Sequence, residues 1–231
     1  MKLQKGLVGH WTMNGRDIDN NVIRDNSPYD NHMQDWTGFP ETGRESPVGD
    51  AVYYNDNYGD DDDGDGTQTE SVGGLYHLTP MMVTFFGRGG DGDDKAMKVG
   101  GQYSGSNYRG WHVRFRNDRV RLGIYPNEED SHWFTVYGDF ELWHHFALAF
   151  DKEQIWMYVD GIQEKNENHA IAEDDFPIDY MSDRFQIGRG GWNNNGTFGG
   201  ELSEIRYYNR VLADKEIKTL HSMRNQQVMR V

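Results

Sequence analysis

The chain contains no cysteine, which excludes disulfides and thiolate-held metals. No run reaches the roughly 18 apolar residues of a membrane span. No linker rich in proline or serine divides the sequence and no repeat of roughly 20 to 50 residues recurs in it, so residues 1–231 read as a single domain. Lysine is scarce: only eight of the 23 basic residues are lysine, against 38 acidic ones. The formal charge of −15 repels phosphates and gives nucleic-acid binding no electrostatic support. An acidic, lysine-poor surface suits a protein working in high salt, where screening relieves self-repulsion, and equally an ordinary acidic protein. The opening MKLQKGLVGHW lacks an apolar signal region and leads into strand pattern, so classical secretion is not encoded in it. The expected location is a virion surface, or the exterior by a non-classical route, after cytoplasmic synthesis.

What the chain has in quantity is glycine (28) and aromatics: 13 tyrosines, 11 phenylalanines and seven tryptophans. These favour strands and turns. In GWHVRFRNDRVRLGIY, Val113 and Phe115 alternate with polar residues, Asn117 and Asp118 supply a turn, and Val120, Leu122 and Ile124 resume the alternation. That predicts a hairpin. Phe146, Leu148 and Phe150 share one strand face, Ile155, Met157 and Val159 another, and Asp160-Gly161 offers a type I′ turn into a further strand. FQIGRGG and FGGELSEIRYYNRVL continue the series between Gly-rich and Asn-rich loops. Many short antiparallel strands predict an all-β, two-sheet jelly-roll sandwich. One helix closes it, over about residues 214–224: Ile217, Leu220 and Met223 form a stripe, with acids first and bases last. It is expected to pack on the sandwich edge.

Residues 55–66, NDNYGDDDDGDG, hold six aspartates. Asp61, Asp63, Asp65 and Gly66 match the first half of an EF-hand loop, whose twelfth position must be a bidentate glutamate. That position is Val72 and no helical pattern flanks it, so the stretch of about 59–73 reads as an exposed acidic loop rather than the main metal site.

Five segments carry a family resemblance: GLVGHWTMNG (6–15), DNSPYDNH (25–32), LWHHFALAFD (142–151), IWMYVDGIQ (155–163) and GGELSEIRYYNRVLADKEIKTLH (199–221). Together they resemble the laminin-G-like, concanavalin A-like jelly-roll domains related to pentraxins and sandwich glycosidases. The resemblance implies that Trp11, Trp111 and Trp143 are core aromatics, and that His144 and His145 are structural hydrogen-bonding residues. It also implies a possible Ca²⁺ at the sandwich edge, held by Asp25, Asn26, Asp30 and Asn31 from the early loop and by Glu204, which stands where the family places an aspartate. The alternative is that DNSPYDN is a turn held by Asx hydrogen bonds. Ala213 replaces the usual capping serine of the last helix, leaving it less side-chain help.

Sandwich glycosidases of this fold carry E-x-D-x-x-E, which the chain lacks. Glu201 and Glu204 come nearest, but a spacing of three sends them to opposite faces of a regular strand, and retaining chemistry needs carboxyls about 5 to 5.5 Å apart. No G-x-S-x-G, H-E-x-x-H or phosphate loop occurs, and GRGGDGDD (87–94) reads as a hairpin loop. The expectation is a noncatalytic module binding carbohydrate or a host or cell-envelope surface. Its ligand contacts are sought at Trp36, Trp133 and above all Trp192, beside Asn193, Asn194 and Asn195. The alternative is a structural virion component, such as a capsid decoration, turret, fibre or spike, that assembles with itself or with other virion proteins.

Overall fold

The computed structural model describes residues 3–38, 40–55, 66–69, 79–89, 94–103, 107–127, 130–171, 184–188 and 198–225. They form two antiparallel sheets. The first contains β1 (Leu7–Trp11), β5 (Glu41–Ser46), β6 (Gly49–Tyr54), β8 (Met81–Gly89), β13 (His144–Phe150), β14 (Gln154–Val159), β15 (Ile162–Asn168) and β17 (Gly200–Tyr208). Their order is β15-β14-β13-β8-β17-β6-β5, with β1 also alongside β17. The second contains β2 (Ile18–Asp19), β3 (Val22–Ile23), β4 (Met33–Thr37), β7 (Gly66–Thr69), β9 (Asp94–Tyr103), β10 (Asn107–Phe115), β11 (Arg119–Tyr125), β12 (His132–Tyr137) and β16 (Phe185–Ile187), ordered β12-β11-β10-β9-β16-β7-β4-β3-β2.

The alternation in the sequence sets which residues meet. Trp111, Val113 and Phe115 of β10 and Val120, Leu122 and Ile124 of β11 point inward, opposite Phe146, Leu148 and Phe150 of β13. Aromatic rings bridge the sheets: Trp11 stacks on Phe185 at 5.1 Å, Trp111 on Tyr207 at 5.9 Å, and Phe85 meets Phe115 edge-on at 6.0 Å. Each such pair adds about 0.5–1.5 kcal/mol beyond the area it buries. Gly9 lies under the Trp11 ring; a Cβ there would stand 2.2 Å from the indole. The turn between β14 and β15 has φ of 51° at Asp160 and 77° at Gly161, the left-handed pair that a type I′ turn requires.

Four expectations need correction. Gly66–Thr69 of the acidic stretch is a strand, not loop: Thr67 and Thr69 are buried while Gln68 lies on the opposite face, and β7 pairs with both β4 and β16. Polar threonines hid a strand that apolar periodicity would have shown. The aspartates at 60–63 and 65 lie outside the described residues. Trp143 is not core; it precedes β13, is half-buried, and lies beneath the Arg88 guanidinium at 5.7 Å.

Helix α1 (Asp214–Ser222) packs on the outer face of the first sheet rather than its edge. Ile217 and Leu220 rest on Met82, Ala147, Ala149, Tyr158 and Tyr208 of the central strands, where two alanines leave room for a helix. Its start is also better secured than Ala213 suggests. Glu216 accepts from the Ala213 N–H at 3.0 Å, the half of a capping box that does not need a serine, and is itself gripped through both oxygens by Arg210 at 2.8 and 2.7 Å.

Candidate functional site

The residues expected to hold a metal are brought together around β1, but the carboxylates of Asp25 and Glu204 are occupied. Asp25 Oδ1 accepts from the backbone N–H groups of His10 (2.7 Å) and Ser27 (2.8 Å), and Oδ2 accepts from Ser27 Oγ (2.6 Å) and the Asn31 N–H (2.8 Å). Asn31 donates its amide to Val8 O and accepts from the Trp11 indole through its own carbonyl, both at 2.9 Å. Asn26 contributes its backbone N–H, to His10 O at 2.7 Å. Asp30 takes a left-handed φ of 53° and its carbonyl accepts from the His32 N–H. The DNSPYDN segment is therefore an Asx-built plug that seats β1 against the core.

Glu204 sits where β17 changes partner, from β6 at Gly200–Leu202 to β1 at Ile205–Tyr208. The register with β8 slips between Ser203 and Arg206, and Glu204 has a φ of 52°. That bulge removes the regular alternation on which the opposite-faces expectation rested. Leu202, Ile205 and Tyr207 point inward, while Glu201 pairs with Arg88 and Glu204 with Arg206 (2.6 Å) and the His10 ring (2.9 Å). Burial alone would raise the Glu204 carboxyl, but the His10 hydrogen bond and the Arg206 charge outweigh it and hold it below the usual glutamate value. Among the described residues no group of three His, Asp or Glu side chains converges on a metal position. The geometry does not fit a Ca²⁺ ligand set, since Asp25 is saturated by donors and Glu204 already faces a cation.

His144 and His145 gain the carboxylate that adjacent sequence does not offer. The His144 ring donates to Asp160 Oδ2 at 2.7 Å and the His145 N–H to Asp160 Oδ1 at 2.9 Å. Burial, helped by the neighbouring His221 and Arg206, pushes the His145 ring down to about 3, so it is neutral packing material against Phe86.

Helix α1 covers the outer face of the first sheet, whereas the outer face of the second bears a row of polar side chains. The cross-strand registers align Gln34, Gln68, Gln186, Lys98, His112 and Gly123, with Trp133 at the end of the row. Gln186 donates to Gln68 at 3.0 Å. The row runs from buried to open: Gln186 is 7 % exposed, Lys98 3 %, His112 1 %, and Trp133 37 %. Gly123 makes space for the indole, because a Cβ there would meet His112 Nε2 at 2.7 Å and Trp133 Cζ3 at 3.1 Å. His112 packs on the Trp133 ring at 4.9 Å and Tyr125 meets it edge-on at 5.7 Å. Arg114 and Arg121 hold their guanidiniums 4.8 and 5.8 Å from the same ring. Burial raises the Tyr125 phenol to about 12, against a smaller opposing effect of Arg114, so it remains a neutral donor.

Trp133 is thus the sequence candidate that the structure places on an open, polar surface. Trp36 is the β4 residue between Asp35 and Thr37, where the register with β7 slips, and its side chain lies outside the described residues. Trp192, Asn193, Asn194 and Asn195 also lie outside them; they follow β16, the strand that carries Gln186. Sequence reasoning missed Arg114 and Arg121. The available signal was five arginines within residues 109–121, against the single acid Asp118, in a chain of charge −15.

The chain belongs to the concanavalin A-like lectin/glucanases superfamily, whose Laminin_G_3 family model matches residues 86–218. No curated protein sequence matches it. Among solved structures it is similar to the binding domain of botulinum neurotoxin DC in complex with rat synaptotagmin II, at 10 % identity and a TM-score of 0.70, covering 97 % of this chain and 53 % of that one. It is also similar to botulinum neurotoxin type C, whose cell entry is described as dependent on two ganglioside molecules (11 %, TM-score 0.71, 97 % and 53 %). The neurotoxin DC binding domain in complex with SialylT gives 11 %, a TM-score of 0.68, 96 % and 52 %. The chain spans about half the length of these neighbours, and at such identity the likeness establishes the jelly-roll fold.

Proposed function

We propose that the chain is a noncatalytic binding module for carbohydrate, acting at a host or cell surface, with a virion or cell exterior as its setting. The observation that carries this is Trp133: an indole 37 % exposed at the open end of a row of hydrogen-bonding side chains. A sugar offers an apolar face and a rim of hydroxyls, and an aromatic ring beside a phenol and guanidiniums complements both. The fold-level neighbours include a neurotoxin whose cell entry depends on two ganglioside molecules and a neurotoxin binding domain in complex with SialylT, which supports the class by analogy. Carboxylate-pair catalysis finds no support, because Glu201 and Glu204 are each engaged by an arginine. Self-assembly or assembly with other virion proteins is compatible with this role, since an adhesin can also be a particle component.

The test is a glycan array probed with the purified chain and with a Trp133→Ala variant of unchanged thermal stability. Saturable binding that the variant loses is expected. A wild-type chain that binds no glycan, or a variant that binds as well as wild type, would place the activity elsewhere; a closed oligomer by light scattering together with no glycan binding would favour the structural virion role.

A further inference from the structure

The second sheet's open end contains more positive charge than sugar hydroxyls need. Residues 107–125 hold five arginines and one aspartate in a chain of net charge −15. Arg116 and Arg119 are accounted for, since both reach Asp118 in the hairpin turn, at 3.7 and 3.3 Å. Arg114 is not. It lies directly opposite Arg121 in register. Among the described residues no carboxylate stands within ion-pair distance of Arg114, whose buried Nε makes no hydrogen bond. What holds its guanidinium is the Trp133 ring at 4.8 Å, a cation–π contact that fixes the fork's direction without using its donors.

Arg114 and Arg121, like charges in register on adjacent strands, repel one another. Resting on the carbohydrate-binding role proposed above, we propose that this patch selects sugars that bear a carboxylate, as sialic acids and uronates do. The Arg114 fork donates to the carboxylate, Arg121 adds a second positive charge, Tyr125 donates from its phenol, and Trp133 holds the guanidiniums against its ring while its open part meets the sugar. A planar, two-oxygen anion matches a guanidinium fork in a way that a neutral hydroxyl does not.

The experiment compares matched glycans on the intact chain: sialyllactose against lactose, and hyaluronan oligosaccharides against neutral chitooligosaccharides, each titrated by calorimetry at two salt concentrations. At least one acidic member is expected to bind about tenfold or more tightly than its neutral counterpart, the size of effect a charge-assisted hydrogen bond gives, and to weaken as salt rises. Arg114→Gln and, separately, Arg121→Gln should abolish the preference, and Arg114→Lys should retain only part of it, because the charge remains without the fork. Equal binding of acidic and neutral members, or a preference that survives Arg114→Gln in a variant of unchanged melting temperature, overturns the proposal while leaving carbohydrate binding standing. Absence of binding to all four glycans defeats it as well, and if the wider array is also blank, carbohydrate binding falls with it.

Discussion

Arg114 and Arg121 stand directly opposite each other on β10 and β11, two like charges facing each other across adjacent strands. Such a pair costs roughly 0.2–1 kcal/mol relative to a neutral one, and cation–π contact with Trp133 returns a similar amount at a partly exposed site. Replacing Arg114 by threonine, a good strand former, should therefore leave the unfolding free energy within about 1 kcal/mol of wild type. Urea titration checks this. A loss well beyond that would mean that Arg114 is part of the scaffold and not of a binding surface.

Asp25 is structural in the strict sense that its carboxylate closes four hydrogen bonds from three residues. Asp25→Ala strands those donors in a buried setting, and the expected loss is about 2–4 kcal/mol. Because the same oxygens are the ones a cation would need, adding Ca²⁺ or chelator should not move the wild-type melting temperature. A rise of several degrees with Ca²⁺ would show that the loop rearranges to bind it.

The Glu204 carboxyl is held below its ordinary value of 4.5. A depressed folded-state pKa stabilises fully above the ordinary glutamate range and is lost as pH falls through the lower folded value. Stability should thus decline in acid from about pH 4.5 downward. In Glu204→Gln that decline is shallower, with a residue left from Asp160 and Glu216, which are also depressed. The variant should also be weaker at neutral pH by about 3 kcal/mol, because Arg206 is then buried without its partner. Denaturation curves at pH 3.5, 5 and 7 would contradict this if the two proteins kept a constant difference.

Gly9 is a packing glycine. Its Cβ position is filled by the Trp11 indole, and Gly9→Ala must push that ring off Phe185, at a cost of about 1–3 kcal/mol. Near-ultraviolet circular dichroism should report the altered Trp11 environment, and an unchanged spectrum with unchanged stability would show that β1 shifts freely.

Much of the sandwich was legible because its strands obey a period of two. Val113, Phe115, Val120, Leu122 and Ile124 marked one hairpin and Asp160-Gly161 marked the next, each by local chemistry alone. The site was less legible, because it is assembled from registers and not from neighbours in sequence. Gln34, Gln68, Lys98, His112, Gln186 and Trp133 fall into one row only after the strand order is known. A pattern of polar residues in a strand reads simply as an outward face. Glu204 shows the same limit differently: residue spacing assumes a regular strand, and a single bulge between Ser203 and Arg206 cancels the inference. The acidic run stands out in composition, whereas the arginines of residues 109–121 are hidden by the chain's overall negative charge.

The most direct test of the binding face is to follow the indole N–H resonances while an oligosaccharide chosen from the array is titrated in, with Trp133 assigned by its loss in Trp133→Phe. A saturable shift of the Trp133 signal, with the buried Trp11 and Trp111 unmoved, is what a carbohydrate site on the outer face of the second sheet predicts. Saturable binding that leaves Trp133 still and moves a different indole would contradict it.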